Sequence, residues 1–441
     1  MNPLSSYSVG MATADITPPV GTPLAGYSAR GFHSSTGVYH PLRAVAMAID
    51  DGTTSVLLVS VEWIGFDDLA GRVRERLSQA TGIPPAQIIL AGTHTHCGPA
   101  IRRKDAALFG WIDHDYLNAS LETVATIARR AMAFRRPATL KFATAQGSLA
   151  MNRRRPDPAH PGKVLRAIRP HPEGVTDPEI SILVIESDAM IRGILFSYAC
   201  HPTSRDGLWI GGDYPAFACD HLQEAFRDAQ TMFLLGCAGD QRPRPVDPAN
   251  DLFGTRTVEE VREAGFALGR SIERALRENR LTPVTGAITL RRQMLGLRTE
   301  PLDRQAVQAA LADPAAPVHL QKWALHHQNR IEQGLPEERD VPFEIQTLRF
   351  GDSLAVVTLS AEMVVEYGLR LKTDLRPHFT HVLPLAYTNS LVGYIPVRRQ
   401  FSEGGYEVLD ANLHRRRTGR YVPETEDQIH AAVHALLETG S

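Results

Sequence analysis

The chain is punctuated by runs of five to eight residues that are apolar or alternate apolar with polar, and no other feature limits its fold more. They lie at 44–49, 55–61, 87–91, 180–185, 192–199, 231–235, 343–350, 353–360 and 380–386. Runs of this length, rich in Val, Ile and Leu and bounded by Gly, Pro or Asp, suit β-strands better than helices. Asp51-Gly52 turns the first into the second as a hairpin. Between strands come longer stretches with a helical period. One begins at Asp67, keeps Leu69, Val73 and Leu77 on one stripe, and is stopped by Gly82 and Pro84-Pro85. Others run over 115–133, 215–229, 257–278 and 424–437. The mixture predicts an α/β fold, mixed β-sheets flanked by helices, in one large domain over 1–441.

Several strands end in the same way, with small, polar and glycine residues. The run 87–91 leads into Gly92-Thr93-His94-Thr95-His96-Cys97-Gly98-Pro99, and 192–199 into Cys200-His201-Pro202. The run 231–235 leads into Gly236-Cys237-Ala238-Gly239-Asp240, 353–360 into Ala361-Glu362, and 380–386 through Asn389 to Gly393-Tyr394. In α/β sheets, ligands collect at such strand ends. His94 and His96, two residues apart on chain that has just left a strand, can face one ion or one substrate atom. Two histidines and a carboxylate with one open position suit a catalytic zinc, which lowers the pKa of its water towards ~7 and points to hydrolysis. Spacing alone leaves a second reading open, a pair of turn histidines, because it cannot bring together residues hundreds apart.

Composition excludes some partners. Net charge is -2 and the pI about 6.8, which argues against nucleic acid or an anionic membrane. No run approaches the roughly 18 apolar residues of a membrane span, and the first residues lack a secretory pattern. The expectation is a cytoplasmic enzyme with a small-molecule substrate. Cys97, Cys200, Cys219 and Cys237 form no Cys-x-x-Cys and read as reduced, buried thiols. The first 40 residues read as a turn-rich arm with short strands. Six prolines between 156 and 178 mark a long irregular loop, a candidate lid. His326 and His327, about 100° apart on a helix, read as surface residues.

The chain resembles the N-terminal catalytic domain of the neutral/alkaline non-lysosomal ceramidases, zinc amidases that release a fatty acid from N-acylsphingosine. The similarity starts at Val9-Gly10-Met11-Ala12-Thr13-Ala14-Asp15-Ile16-Thr17-Pro18 and continues through Thr36-Gly37-Val38-Tyr39-His40-Pro41-Leu42. It is sharpest at His94-Thr95-His96-Cys97-Gly98-Pro99 and covers most of the chain. The resemblance implies that His94, His201, Glu362 and Tyr394 ligate zinc and that His96 faces the substrate. It also implies a second active-site tyrosine twelve residues after Tyr394, where Tyr406 stands, and a substrate-holding arginine at Arg153. A slip of one residue would assign that role to Arg154.

Two departures shape the expectation. The family's Gly-Asp-Val-Ser-Pro-Asn reads Gly239-Asp240-Gln241-Arg242-Pro243-Arg244 here, so Arg242 replaces the serine and excludes a serine nucleophile at this site. The sequence also ends at Ser441, before the β-sandwich domain that follows in ceramidases. The implied function is a zinc-dependent amidase whose activated water attacks an N-acyl bond in a polar or anionic small substrate. His96, Arg153, Tyr406 and Asp240 would orient groups or move protons, with Arg154 and Arg242 holding substrate. Basic positions at Arg153 to Arg155, Arg242, Arg244 and 414–417 suit uronate, phosphate or carboxylate groups. Open alternatives are a zinc enzyme acting on a carbohydrate or ester, and an inactive binding protein on the same scaffold.

Overall fold

A computed structural model describes residues 7–102, 111–245, 251–278 and 280–438. Among these residues the larger sheet has nine strands. Gln230–Leu235, Met190–Tyr198, Glu179–Ser187, Arg136–Gln146, Tyr7–Asp15, Arg43–Asp50, Ser55–Val61 and Ile88–Gly92 lie side by side in that order, and Thr282–Val284 pairs with Arg136–Gln146. The smaller sheet runs Ile288–Arg298, Asp340–Phe350, Leu354–Leu359, His381–Leu385. Both are mixed, as the sequence predicts.

Alternation along each strand decides what each face touches. In Arg43–Asp50, Val45, Met47 and Ile49 join Leu348, Phe350, Leu354 and Val356 of the smaller sheet in one core, so the two sheets pack face to face. Ala44, Ala46 and Ala48 point the other way and meet the helices Ala70–Thr81 and His114–Ala133. Their small side chains let a helix lie close. Gly10 on the neighbouring strand shows how close: a Cβ there would stand 2.1 Å from the carbonyl oxygen of Ala131. The remaining outer faces bury Phe196, Phe233, Phe343 and Val357 beneath the helices Asp213–Ala225, Val258–Arg277, Val365–Leu375 and Thr425–Leu437. The layers therefore run helix, sheet, sheet, helix.

Within the two larger sheets three strand pairs are parallel: Ser55–Val61 with Ile88–Gly92, Met190–Tyr198 with Gln230–Leu235, and Leu354–Leu359 with His381–Leu385. Their C-terminal ends are tied together. Gly92 N donates to Tyr387 O at 3.3 Å, Ala386 N to Leu235 O at 3.0 Å, and Asn389 N to Leu90 O at 2.7 Å. Deeper in, buried Arg74 reaches from its helix to Glu344 (2.8 Å), Gln346 (3.0 Å) and Ile88 O (3.1 Å), and Asn389 Nδ2 also donates to Gln346 at 2.8 Å. These polar links, buried between the two sheets, fix the mutual position of the strand leading to His94 and the strand leading to Glu362.

Some expectations need correcting. The N-terminal arm contains Tyr7–Asp15, a nine-residue strand in the interior of the larger sheet. Its Gly, Ala and Thr residues carry little apolar signal, because the flanking helix requires small side chains there. The helix expected at 215–229 is Asp213–Ala225. His327 is buried beneath Trp323 with Nε2 at 3.2 Å from Arg417 O, where a surface residue was expected. The proline-rich loop is pinned: His171 N donates to Asn152 O at 2.9 Å and Leu165 N to Arg155 O at 2.8 Å. All four cysteines are free and buried.

Candidate active site

The converging strand ends place His94, His201 and Glu362 around one point. His94 sits two residues beyond Ile88–Gly92 with φ 66°, a left-handed backbone that turns its ring inward. Its Nδ1 lies 2.6 Å from Ile64 O, and His201 Nδ1 lies 2.6 Å from Ala238 O. A carbonyl accepts only from a protonated nitrogen, so each ring carries its proton on Nδ1 and offers the Nε2 lone pair to the centre. Glu362 Oε2 stands 3.4 Å from His94 Nε2 and 3.5 Å from His201 Nε2, and Tyr394 OH stands 3.4 Å from His201 Nε2. Ligand atoms on a tetrahedron about 2.1 Å from an ion are about 3.4 Å apart. The donor types and their separations therefore fit a metal ion.

His96 joins the group: one ring nitrogen from each of His94, His96 and His201 lies within 4.8 Å of the others. Neither nitrogen of His96 has a hydrogen-bond partner among the described residues. An imidazole whose two nitrogens are both buried and unmet is costly unless a ligand or ion meets one of them. Its place is fixed by packing. Tyr27 lies against its ring at 4.7 Å, and Gly26 (φ 98°) passes so close that a Cβ would stand 2.5 Å from the imidazole. Arg30 donates to both His96 O and Ala25 O, clamping these segments together.

Burial governs the protonation states. It lowers the His201 pKa to about 4 and holds His96 well below the usual imidazole value. For Glu362, burial pushes upward, but the electrostatics of the neighbouring His94, His201 and Arg415 prevail and hold the carboxyl well below its usual range. Burial raises Tyr394 well above the usual phenol value and Tyr406 to about 12. At neutral pH the site thus offers two neutral rings, those of His96 and His201, a carboxylate and phenols that keep their protons.

His94, His96, Glu362 and Tyr394 line a cavity of about 350 Å³ whose wall also contains Arg102, Arg153, Arg242, Arg415, Tyr406 and His414. Arg153 is anchored by Glu407 (2.8 Å), with its guanidinium 5.2 Å from the Tyr394 ring and 5.6 Å from the Tyr406 ring. Strand alternation along Ala150–Asn152 and its continuation separates neighbours. Arg153 enters this cavity, while Asn152 and Arg154 line the adjoining one. Arg154 spends its donors on Glu407 (2.8 Å), Glu403 (3.1 Å) and Gly404 O (2.8 Å). Asp240 is likewise behind the wall. Its Oδ1 accepts from Val365 N at 2.9 Å, and its carbonyl accepts from Arg153 N at 2.9 Å, so it joins the helix after Glu362 to the Arg153 segment.

Of the residues singled out by sequence, His94, His96, His201, Glu362, Tyr394, Arg153, Arg242 and Tyr406 come together, whereas Arg154 and Asp240 stand one layer back. Arg155 and Arg244 lie outside the cavity, Arg155 paired with Asp251 and Arg244 donating to Ser148 O. Sequence reasoning missed Tyr27, Arg102 and Tyr387, whose ring stands 4.5 Å from that of His94. The left-handed φ of Tyr387 (57°) leaves no mark in the sequence. Arg415 was legible only as part of a basic stretch; its Nη2 stands 3.3 Å from Glu362 Oε1, holding the carboxylate oxygen that faces away from the histidines.

Comparison with known proteins bears on the family and the fold. The family model described as "Neutral/alkaline non-lysosomal ceramidase, N-terminal" matches residues 7–234, just over half of the chain. The fold is similar to that of a neutral ceramidase from Pseudomonas aeruginosa, with a TM-score of 0.74 and 19% identity over 97% of this chain and 73% of that one. It is also similar to a ceramidase complexed with C2, with a TM-score of 0.71 and 18% identity over 99% of this chain and 77% of that one. No curated protein matches the sequence. Among the described residues no helix is long and apolar enough to cross a membrane.

Proposed function

Because the chain belongs to the neutral/alkaline non-lysosomal ceramidase family, we propose that it is a zinc-dependent hydrolase that cleaves the N-acyl amide bond of a small polar or anionic substrate. The observation that carries this reading is the convergence of His94 Nε2, His201 Nε2 and Glu362 Oε2 at 3.4 and 3.5 Å, with both Nδ1 atoms tied to carbonyls. His94, His201, Glu362 and Tyr394 would hold the ion. When bound, it supplies Lewis acidity and an activated water.

The chain's own residues supply the rest. His96, neutral and without a hydrogen-bond partner among the described residues, is placed to accept a proton. Arg153, fixed by Glu407, presents a permanent positive charge where negative charge develops on the carbonyl oxygen. Tyr406, whose phenol stays protonated, can donate to that oxygen or to the leaving nitrogen. Asp240 and Arg154 keep the Arg153 segment in position from behind.

The test is elemental analysis of untagged protein, joined to a hydrolysis screen of N-acyl compounds with neutral and anionic head groups. About one zinc per chain with acyl release is expected. Protein that carries its metal and cleaves none of the panel would overturn the amidase reading.

A further inference from the structure

The charges on the cavity wall are unequally matched. Arg153 pairs with Glu407 at 2.8 Å, Arg415 stands 3.3 Å from Glu362 and 3.5 Å from Asp67, and Arg102 stands 3.3 Å from Asp67. Arg242 has no carboxylate partner among the described residues. Its Nε and Nη2 donate to Thr203 Oγ1 and Thr203 O, each at 3.2 Å, and its guanidinium lies 5.0 Å from the Phe253 ring. Every one of these contacts is neutral, and none takes up Nη1. A guanidinium half-buried in a cavity wall is stabilised most by an anion that can accept from its free edge. Two neutral contacts aim the group without neutralising it.

The backbone keeps Arg242 beside the reaction centre. Gln241–Pro243 pairs antiparallel with Ala150–Asn152, placing Arg242 opposite Met151 and two positions from Arg153. Thr203, which orients Arg242, is two residues after His201. A cavity of about 350 Å³ is near the lower end of the range for ligand pockets, ≈ 300–1,000 Å³. An anion at Arg242 and an amide at the histidines therefore belong to one compact molecule.

We infer that Arg242 is a specificity-determining residue that binds a carboxylate or phosphate carried by the substrate close to its scissile amide, as in an N-acylated amino acid or an O-phosphorylated N-acyl amine. This rests on the amidase reading for the bond cleaved, but not for the anion bound.

The experiment separates the two by measuring binding of ligands that cannot be hydrolysed. In levulinate, levulinamide and 3-oxobutylphosphonate a methylene replaces the amide nitrogen, and only the charge of the far end changes. Titration calorimetry on the full chain, with its metal as purified, should show levulinate or the phosphonate binding about tenfold to hundredfold more tightly than levulinamide. The tighter of the two names the anion. In Arg242→Ser the preference should fall to about one. Arg242→Gln, which keeps an amide donor for Thr203, should behave alike and guards against a folding defect. Equal binding of all three ligands by the wild type would overturn the proposal. So would a preference that survives in both folded variants, since the anion would then be held by the metal or another arginine. Loss of metal content would sink the hydrolase reading while leaving the Arg242 comparison readable.

Discussion

Replacing His201 by Ala should remove most of the stabilisation that a metal gives this protein. Of the three donor separations of tetrahedral length, 3.4, 3.5 and 3.4 Å, two involve His201 Nε2. Changes to groups that merely support a ligand cost 10–100-fold in metal affinity, so removing this vertex should cost at least about a hundredfold. Zinc at about 100 times the wild-type Kd stabilises the folded chain by about 2.7 kcal/mol. A 441-residue chain unfolds with an entropy of about 0.9 kcal/mol/K, at about 2.1 cal/mol/K per residue, so its Tm should rise by about 3 °C. At the same zinc concentration the variant, now near its own Kd, gains about 0.4 kcal/mol, or about half a degree. The substitution also leaves Ala238 O without its imidazole donor, which lowers the absolute Tm by a further amount. The quantity to compare is therefore the shift between chelated and zinc-loaded protein, by differential scanning calorimetry. A His201→Ala shift equal to that of the wild type would refute the assignment of this cluster as the metal site.

Two other predictions concern the scaffold. Arg74→Ala strands the buried Glu344 carboxylate without its main counter-charge and should destabilise the fold by about 3–5 kcal/mol, read from urea unfolding. The His430 imidazole is held down to about 4 by burial, with neither nitrogen hydrogen-bonded among the described residues. Below about pH 6.5 the unfolded chain takes up a proton there that the folded chain refuses until about pH 4. Stability from this residue is therefore lost as pH falls through that window, by up to about 3 kcal/mol. His430→Leu should flatten that part of the pH–stability curve; an unchanged slope would contradict the buried neutral state.

Much of the architecture was legible because hydrophobic period is a local property. Alternating and apolar runs marked most of the strands, and helical stripes marked the flanking helices, with Gly82 stopping the first at a left-handed φ of 77°. The strand Tyr7–Asp15 escaped notice, because the helix packed on it demands glycine and alanine, which look like a loop in sequence. Candidate ligands were visible as residue types at strand ends. Their chemistry is local, and so is their position on the chain.

What the sequence could not decide is which of those residues meet. His94, His201 and Glu362 come from three parallel strand pairs whose ends are joined only when the two sheets pack face to face. Sequence left Arg153 and Arg154 as interchangeable candidates; the pleat sends one into the cavity and the other into ion pairs with Glu403 and Glu407. Asp240 looked like a site residue and lies behind the wall, where a helix amide takes up its carboxylate. Arg242 was visible as a departure from the family's motif, yet its lack of a counter-ion among the described residues depends on which carboxylates the fold brings near. The sequence determines side-chain chemistry and local period; burial, tautomer and charge pairing arise from long-range packing, and only the tertiary structure decides them.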